Sequence, residues 1–114
     1  MKTKDFFDMF DGISRRCKEL MGYKSAEYAR NDDKLHNFKE AAKLEKCTPE
    51  KALRGMLTKH IISVYDFIDD LEHEKHHTME QWDEKIIDSI NYFILLRALL
   101  AERFRYFTLK GGDE

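Results

Sequence analysis

Apolar residues recur at steps of three and four along most of this chain, the spacing of one buried helical face. From about Lys4 to Met21 the series Phe6, Phe10, Ile13, Cys17 and Leu20 predicts a first helix. Asn31-Asp32-Asp33 is a natural turn or cap, after which Phe38, Ala41, Ala42 and Leu44 predict a short second helix. Thr48-Pro49-Glu50 is a helix start: a side-chain cap, a proline at the first helical position, and an acid at the positive end of the dipole. The third helix runs from there to about Leu71, with Leu53, Leu57, Ile61, Val64, Ile68 and Leu71 on one face and Lys59, Ser63, Asp66 and Asp70 on the other. Glu72 to Thr78 loses the periodicity and carries His73, His76 and His77, which predicts an exposed connection. A fourth helix begins near Met79 or Glu80 and runs to about Phe107. Its Ile87, Ile90, Ile94, Leu96, Leu99 and Leu100 take up nearly the whole circumference, as in a central helix. The expectation is therefore all-α: a compact bundle of four helices, three long and one short, with the C-terminal helix central.

Length and composition narrow this picture. At 114 residues the chain suits a single domain, taken as residues 1–110 with a disordered tail at 111–114. Five Gly and one Pro leave little punctuation, which disfavours strands. Twenty basic and 22 acidic residues are spread along the length, so no basic field exists to hold a nucleic acid backbone. The apolar run from Ile86 to Leu100 is too short for a membrane span and is broken by Asp88, Asn91 and Arg97. Cys17 and Cys47 form no Cys-x-x-Cys pair, and no signal or transit peptide opens the chain, so a reducing cytoplasm is expected. Cys17 continues the apolar stripe of the first helix, as an inert buried thiol would.

Candidate chemistry lies on the fourth helix. At about 100° per residue, Glu84, Asp88, Asn91 and Leu95 fall on one narrow stripe between Ile87 and Tyr92. Carboxylates four residues apart are neighbours whose oxygens can converge on one hard cation. Magnesium suits them, because it takes oxygen ligands, keeps several waters, and is commonly held by one or two carboxylates together with substrate phosphates. Asp66, Asp69 and Asp70 on the third helix offer further oxygens, and Lys59 a cation for phosphate. The same spacing is compatible with Glu84 in the first turns of its helix, Asp88 paired with a Lys or Arg, and Asn91 hydrogen-bonded in the core. His60, at the border of the apolar face, reads as a packing residue, and the three-histidine segment as a solvated loop rather than a transition-metal site.

Lys24-x-x-Glu27-Tyr28, then Asp32-Asp33-x-Leu35-x-Asn37-Phe38, then Lys59, then Glu84-x-x-x-Asp88-x-x-Asn91-Tyr92 resembles a small helical family of phages and prophages, the nucleotide-modification-associated domain. The likeness covers most of the chain from Lys24 to Leu100. It implies that Tyr28, Asn37, Lys59, Glu84, Asp88 and Asn91 form a polar motif near a nucleotide. The final motif is also similar to the acidic helix of MazG-like nucleoside triphosphate pyrophosphohydrolases, which are all-α, oligomeric and magnesium-dependent. Those enzymes carry Glu-x-x-Glu and Glu-x-x-Asp pairs, whereas here the third helix has Asp66-x-x-Asp69 and the fourth has one extra residue between its acids. Glu27-Tyr28-Ala29 likewise stands where the phage family has Asp-Tyr-Gly.

The combined expectation is a cytoplasmic homodimer or higher homo-oligomer of a bacterial host that binds a nucleotide. Glu84 and Asp88 hold magnesium, and Tyr28, Asn37, Phe38, Lys59 and Asn91 contact the nucleotide. If the chain hydrolyses phosphate, Asp66 or Asp69 is the candidate base. The competing expectations are a non-catalytic module that binds a nucleotide or a protein partner in a groove, and a purely structural oligomer.

Overall fold

The computed structural model describes residues 1–22 and 33–109. Four helices hold most of the described residues: α1 (Thr3–Leu20), α2 (His36–Glu45), α3 (Pro49–Glu72) and α4 (Met79–Phe104). Tyr28 and the tail at 111–114 lie outside the described residues. None of the described helices is long and apolar enough to cross a membrane.

Local chemistry sets most of the boundaries. The Thr48 hydroxyl accepts from the backbone N–H of Lys51 at 3.1 Å, and Pro49 occupies the first helical position. Thr78 opens α4 with a reciprocal capping box: its side chain accepts from Gln81 N–H at 3.1 Å, and the Gln81 side chain accepts from Thr78 N–H at 3.0 Å. α1 closes at Gly22, whose φ of 81° is a conformation that other residues adopt at a cost, and its N–H bonds the Glu19 carbonyl. α4 stops at Phe104, short of the expected Phe107, because Arg105 turns left-handed at φ 64° and Tyr106 N–H returns to the Ala101 carbonyl. Arg97 then donates to the carbonyls of Tyr106 and Thr108, which holds the following segment against α4.

α3 and α4 form an antiparallel hairpin. Arg103 near the end of α4 grips Glu50 at the start of α3 through two hydrogen bonds of 2.6 and 2.9 Å. At the other end Phe67 meets Trp82 edge to face, with centroids 5.2 Å apart. Leu35, Leu53, Leu57 and Leu99 make the main core, with Phe38, Ile61, Tyr92 and Leu95 against it. Leu53 and Ile87 are almost fully enclosed, and each such side chain contributes roughly 1.5–3 kcal/mol. α2 lies on α3, and α1 packs on α4.

Burial departs from the periodicity in one respect. α4 is not covered all round, since Ile86, Phe93 and Ile94 are exposed. The second half of the α3 stripe is likewise open at Ile68 and Leu71, and Phe6, Phe10 and Leu20 of α1 are about half exposed.

Candidate functional site

Side chains from three helices converge where α2, α3 and α4 meet. Asp88 and Tyr92 are one turn apart on α4 and so share a face, toward which α3 brings His60 and α2 brings Phe38. The His60 ring lies beside that of Tyr92, centroids 4.8 Å apart and planes inclined by 32°. Its Nδ1 is 4.0 Å from Asp88 Oδ2, close but too long for a hydrogen bond. Phe38 meets Tyr92 edge-on at 6.4 Å. The site is half open, with 27% of the His60 side chain and 36% of the Asp88 side chain exposed, so a ligand can reach both. Burial, and secondarily the Asp88 carboxylate, push the Tyr92 phenol above its ordinary value.

The remaining candidates fall around this cluster unevenly. Glu84, one turn before Asp88, is exposed, as are Lys59 beside His60 and Asn37 beside Phe38. Glu84 and Asp88 therefore present two oxygen-donor groups on one side of α4, a donor set that fits a hard cation retaining much of its water. Among the described residues no three His, Cys, Asp or Glu side chains come together as a self-sufficient metal site. Asn91 is buried but turned toward α1, where its Nδ2 donates to the Cys17 carbonyl at 3.3 Å and its Oδ1 has no hydrogen-bond partner among the described residues. Asn91 is thus divided from Asp88 by the curvature of the helix. Asp66 and Asp69 are exposed on α3; at about 100° per residue they lie roughly a third and a half of a turn around the helix from His60, away from the face that meets Asp88.

His60, expected to be a packing residue, does pack on Tyr92, but its place beside Asp88 could not be read from the sequence. Its position at the edge of an apolar stripe suits packing equally well, and its neighbours Asp88 and Tyr92 lie on another helix. The three-histidine connection is also more ordered than its composition suggests. His73 and His76 are exposed, whereas His77 stacks on Phe67 with centroids 3.7 Å apart and bonds Asp70 at 2.7 Å. That hydrogen bond, foremost, holds the Asp70 carboxyl below its usual range.

Comparison with protein families, curated proteins and solved structures finds no match to this chain.

Proposed function

We propose that the chain binds a nucleoside triphosphate at the junction of α2, α3 and α4 and acts on it as a pyrophosphohydrolase. The observation that carries this reading is the convergence of His60, Asp88 and Tyr92, a proton acceptor, an oxygen ligand and an aromatic surface within one half-open site. The resemblance of the Glu84-x-x-x-Asp88-x-x-Asn91-Tyr92 segment to nucleotide-handling families supports it from the sequence side.

Glu84 and Asp88 would hold magnesium, which when bound offsets phosphate charge and acidifies water. Lys59 adds a flexible cation at the exposed edge, and Phe38 with Tyr92 offers ring surface for a base. His60 receives the proton of the attacking water on its ring nitrogen. Water oxygen bonds to phosphorus, the phosphoanhydride bond breaks, and pyrophosphate leaves with the electron pair. This assigns the base to His60 in place of Asp66 or Asp69, which lie on other faces of α3.

The test is pyrophosphate release from a panel of ribo- and deoxynucleoside triphosphates with magnesium, beside Asp88→Asn and His60→Gln, with nucleotide binding followed by calorimetry. The wild type should turn over at least one nucleotide, and His60→Gln should lose about 100-fold or more in kcat while still binding it. Binding without turnover by the wild type would leave a non-catalytic nucleotide-binding module. Absence of both would reject the reading.

A further inference from the structure

α1 and α4 enclose an open groove of about 1090 Å³, lined on one side by Met9, Phe10 and Ile13 and on the other by Ile86, Ile90 and Ile94. Hydrogen bonds hold its walls in place before anything enters. Asn91, which lines it from α4, donates to the Cys17 carbonyl of α1 at 3.3 Å, and Lys34 Nζ donates to the Met21 carbonyl at 2.9 Å. A preformed and mostly apolar cleft of this size is at the upper end of the range for small-molecule sites.

Shape and charge narrow the occupant. Met9 and Met21 both line the groove and are separated by about 18 Å along the axis of α1. With Met79 they make its apolar lining adaptable, which suits a long, flexible chain better than a rigid ring system. The charged lining is one-sided. Among the described residues that line the groove, Arg15, Arg16, Lys18 and Lys34 are basic and Asp83 alone is acidic, on a chain whose net charge is −2. Asp8 and Asp11 of α1 fall outside it. Neither Arg15 nor Arg16 forms an ion pair among the described residues. Gly12 lines the same cleft in the middle of α1, where glycine disfavours the helix and where a Cβ would meet the Arg15 guanidinium at 4.0 Å. Arg16 stands one turn after Gly12. The bare backbone at Gly12 therefore leaves room for an anion at the edge of the groove that Arg15 and Arg16 border.

We propose that this groove binds one molecule of a free long-chain carboxylate, a monomeric fatty acid. Its alkyl chain lies between Ile13 and the isoleucines of α4, and its carboxylate meets Arg15 and Arg16, whose planar guanidinium groups match it. The inference does not depend on the proposed nucleotide chemistry, whose side chains lie on α2, α3 and another face of α4.

Calorimetric titration of the full chain with dodecanoate, below its micelle concentration, tests it. One dodecanoate should bind per chain, and each methylene removed, through decanoate to octanoate, should weaken binding by roughly twofold to fourfold. Arg15→Gln with Arg16→Gln should weaken dodecanoate by about tenfold or more and leave the neutral dodecanol unchanged. Gly12→Leu, a change that favours the helix, should weaken the carboxylate in the same way. Ile94→Glu, at a half-exposed position, should weaken both ligands, with helical circular dichroism retained in every variant. Several outcomes would overturn the proposal: no saturable binding, binding indifferent to the arginine pair or to Ile94→Glu, or affinity that falls as protein concentration rises because a second copy fills the groove. Capture by phosphatidylglycerol vesicles without binding of the monomeric acid would overturn it as well, assigning the groove to a membrane surface.

Discussion

The imidazole of His77 lies flat on the ring of Phe67, with parallel planes and centroids 3.7 Å apart, while its Nε2 sits 2.7 Å from Asp70 Oδ2. Stacking and hydrogen bonding together fix the connection between α3 and α4. Trp82 closes on Phe67 from the start of α4, so this end of the hairpin is a small aromatic core of its own. His77→Ala removes the stack and one hydrogen bond and should cost about 1–2 kcal/mol. His76→Ala, at an exposed position, should change stability by less than about 0.5 kcal/mol. Paired urea denaturation curves distinguish the two, and equal effects would contradict the packed role of His77.

Asn91 makes a second prediction about stability. Asn91 is 8% exposed and its Oδ1 has no hydrogen-bond partner among the described residues, so a negative charge placed there would be enclosed beside the Cys17 carbonyl. Asn91→Asp should destabilise by about 3 kcal/mol at neutral pH. Asn91→Ala, which loses one hydrogen bond but also the unpartnered acceptor, should cost only about 1 kcal/mol. The order of these variants in a thermal melt is the readout.

Tyr92 reports on the candidate site without any ligand. Burial, the larger cause, and the Asp88 charge both hold its phenol protonated to higher pH. Asp88→Asn removes only the second, so the titration should move down while remaining above that of an exposed tyrosine. Ultraviolet difference titration, with Tyr92→Phe to assign the signal, measures this. An unchanged titration in Asp88→Asn would show that the carboxylate does not act on the ring.

The pH dependence of stability should carry the imprint of Lys39, which bonds both Asp33 at 2.8 Å and Glu102 at 2.9 Å. The Lys39 hydrogen bond, and then the Leu35 N–H, hold the Asp33 carboxyl below its ordinary 3.8. Its contribution is complete above that value and is lost as pH falls through the lower folded one. Hydrogen bonds to Asp33 and then Glu102 raise Lys39 above its ordinary 10.5, so its share is complete below that value and lost as pH rises through the folded one. Lys39→Met should therefore lower stability across the plateau and flatten both limbs. Chemical denaturation at acid, neutral and alkaline pH checks it.

What the sequence makes legible follows the range of the interactions. Thr48-Pro49-Glu50 marks the start of α3 because capping uses residues three apart, and the expected bounds of α1 and α3 agree closely with the structure. The end of α4 is not legible, because Tyr106 and Phe107 keep the pattern apolar while the left-handed turn at Arg105 leaves no compositional mark. Asp88 stood out by its carboxylate in an apolar helix. The placement of His60 beside it is not legible, since the two residues lie 28 positions apart on different helices. Which apolar faces stay open was equally hidden, because Ile94 and Leu99 look alike until the neighbouring helices are in place.

α1 rests on the remainder of the fold chiefly through α4, whereas α3 is flanked by both α2 and α4. Fewer packed neighbours should make α1 open more readily than the α3–α4 hairpin. The amides of α1 should exchange with solvent through local opening, ahead of those at Leu53 or Leu57, which await global unfolding. Native-state hydrogen exchange would then resolve a labile arm hinged on a slow-exchanging hairpin, and anything that covers the arm should slow its exchange first.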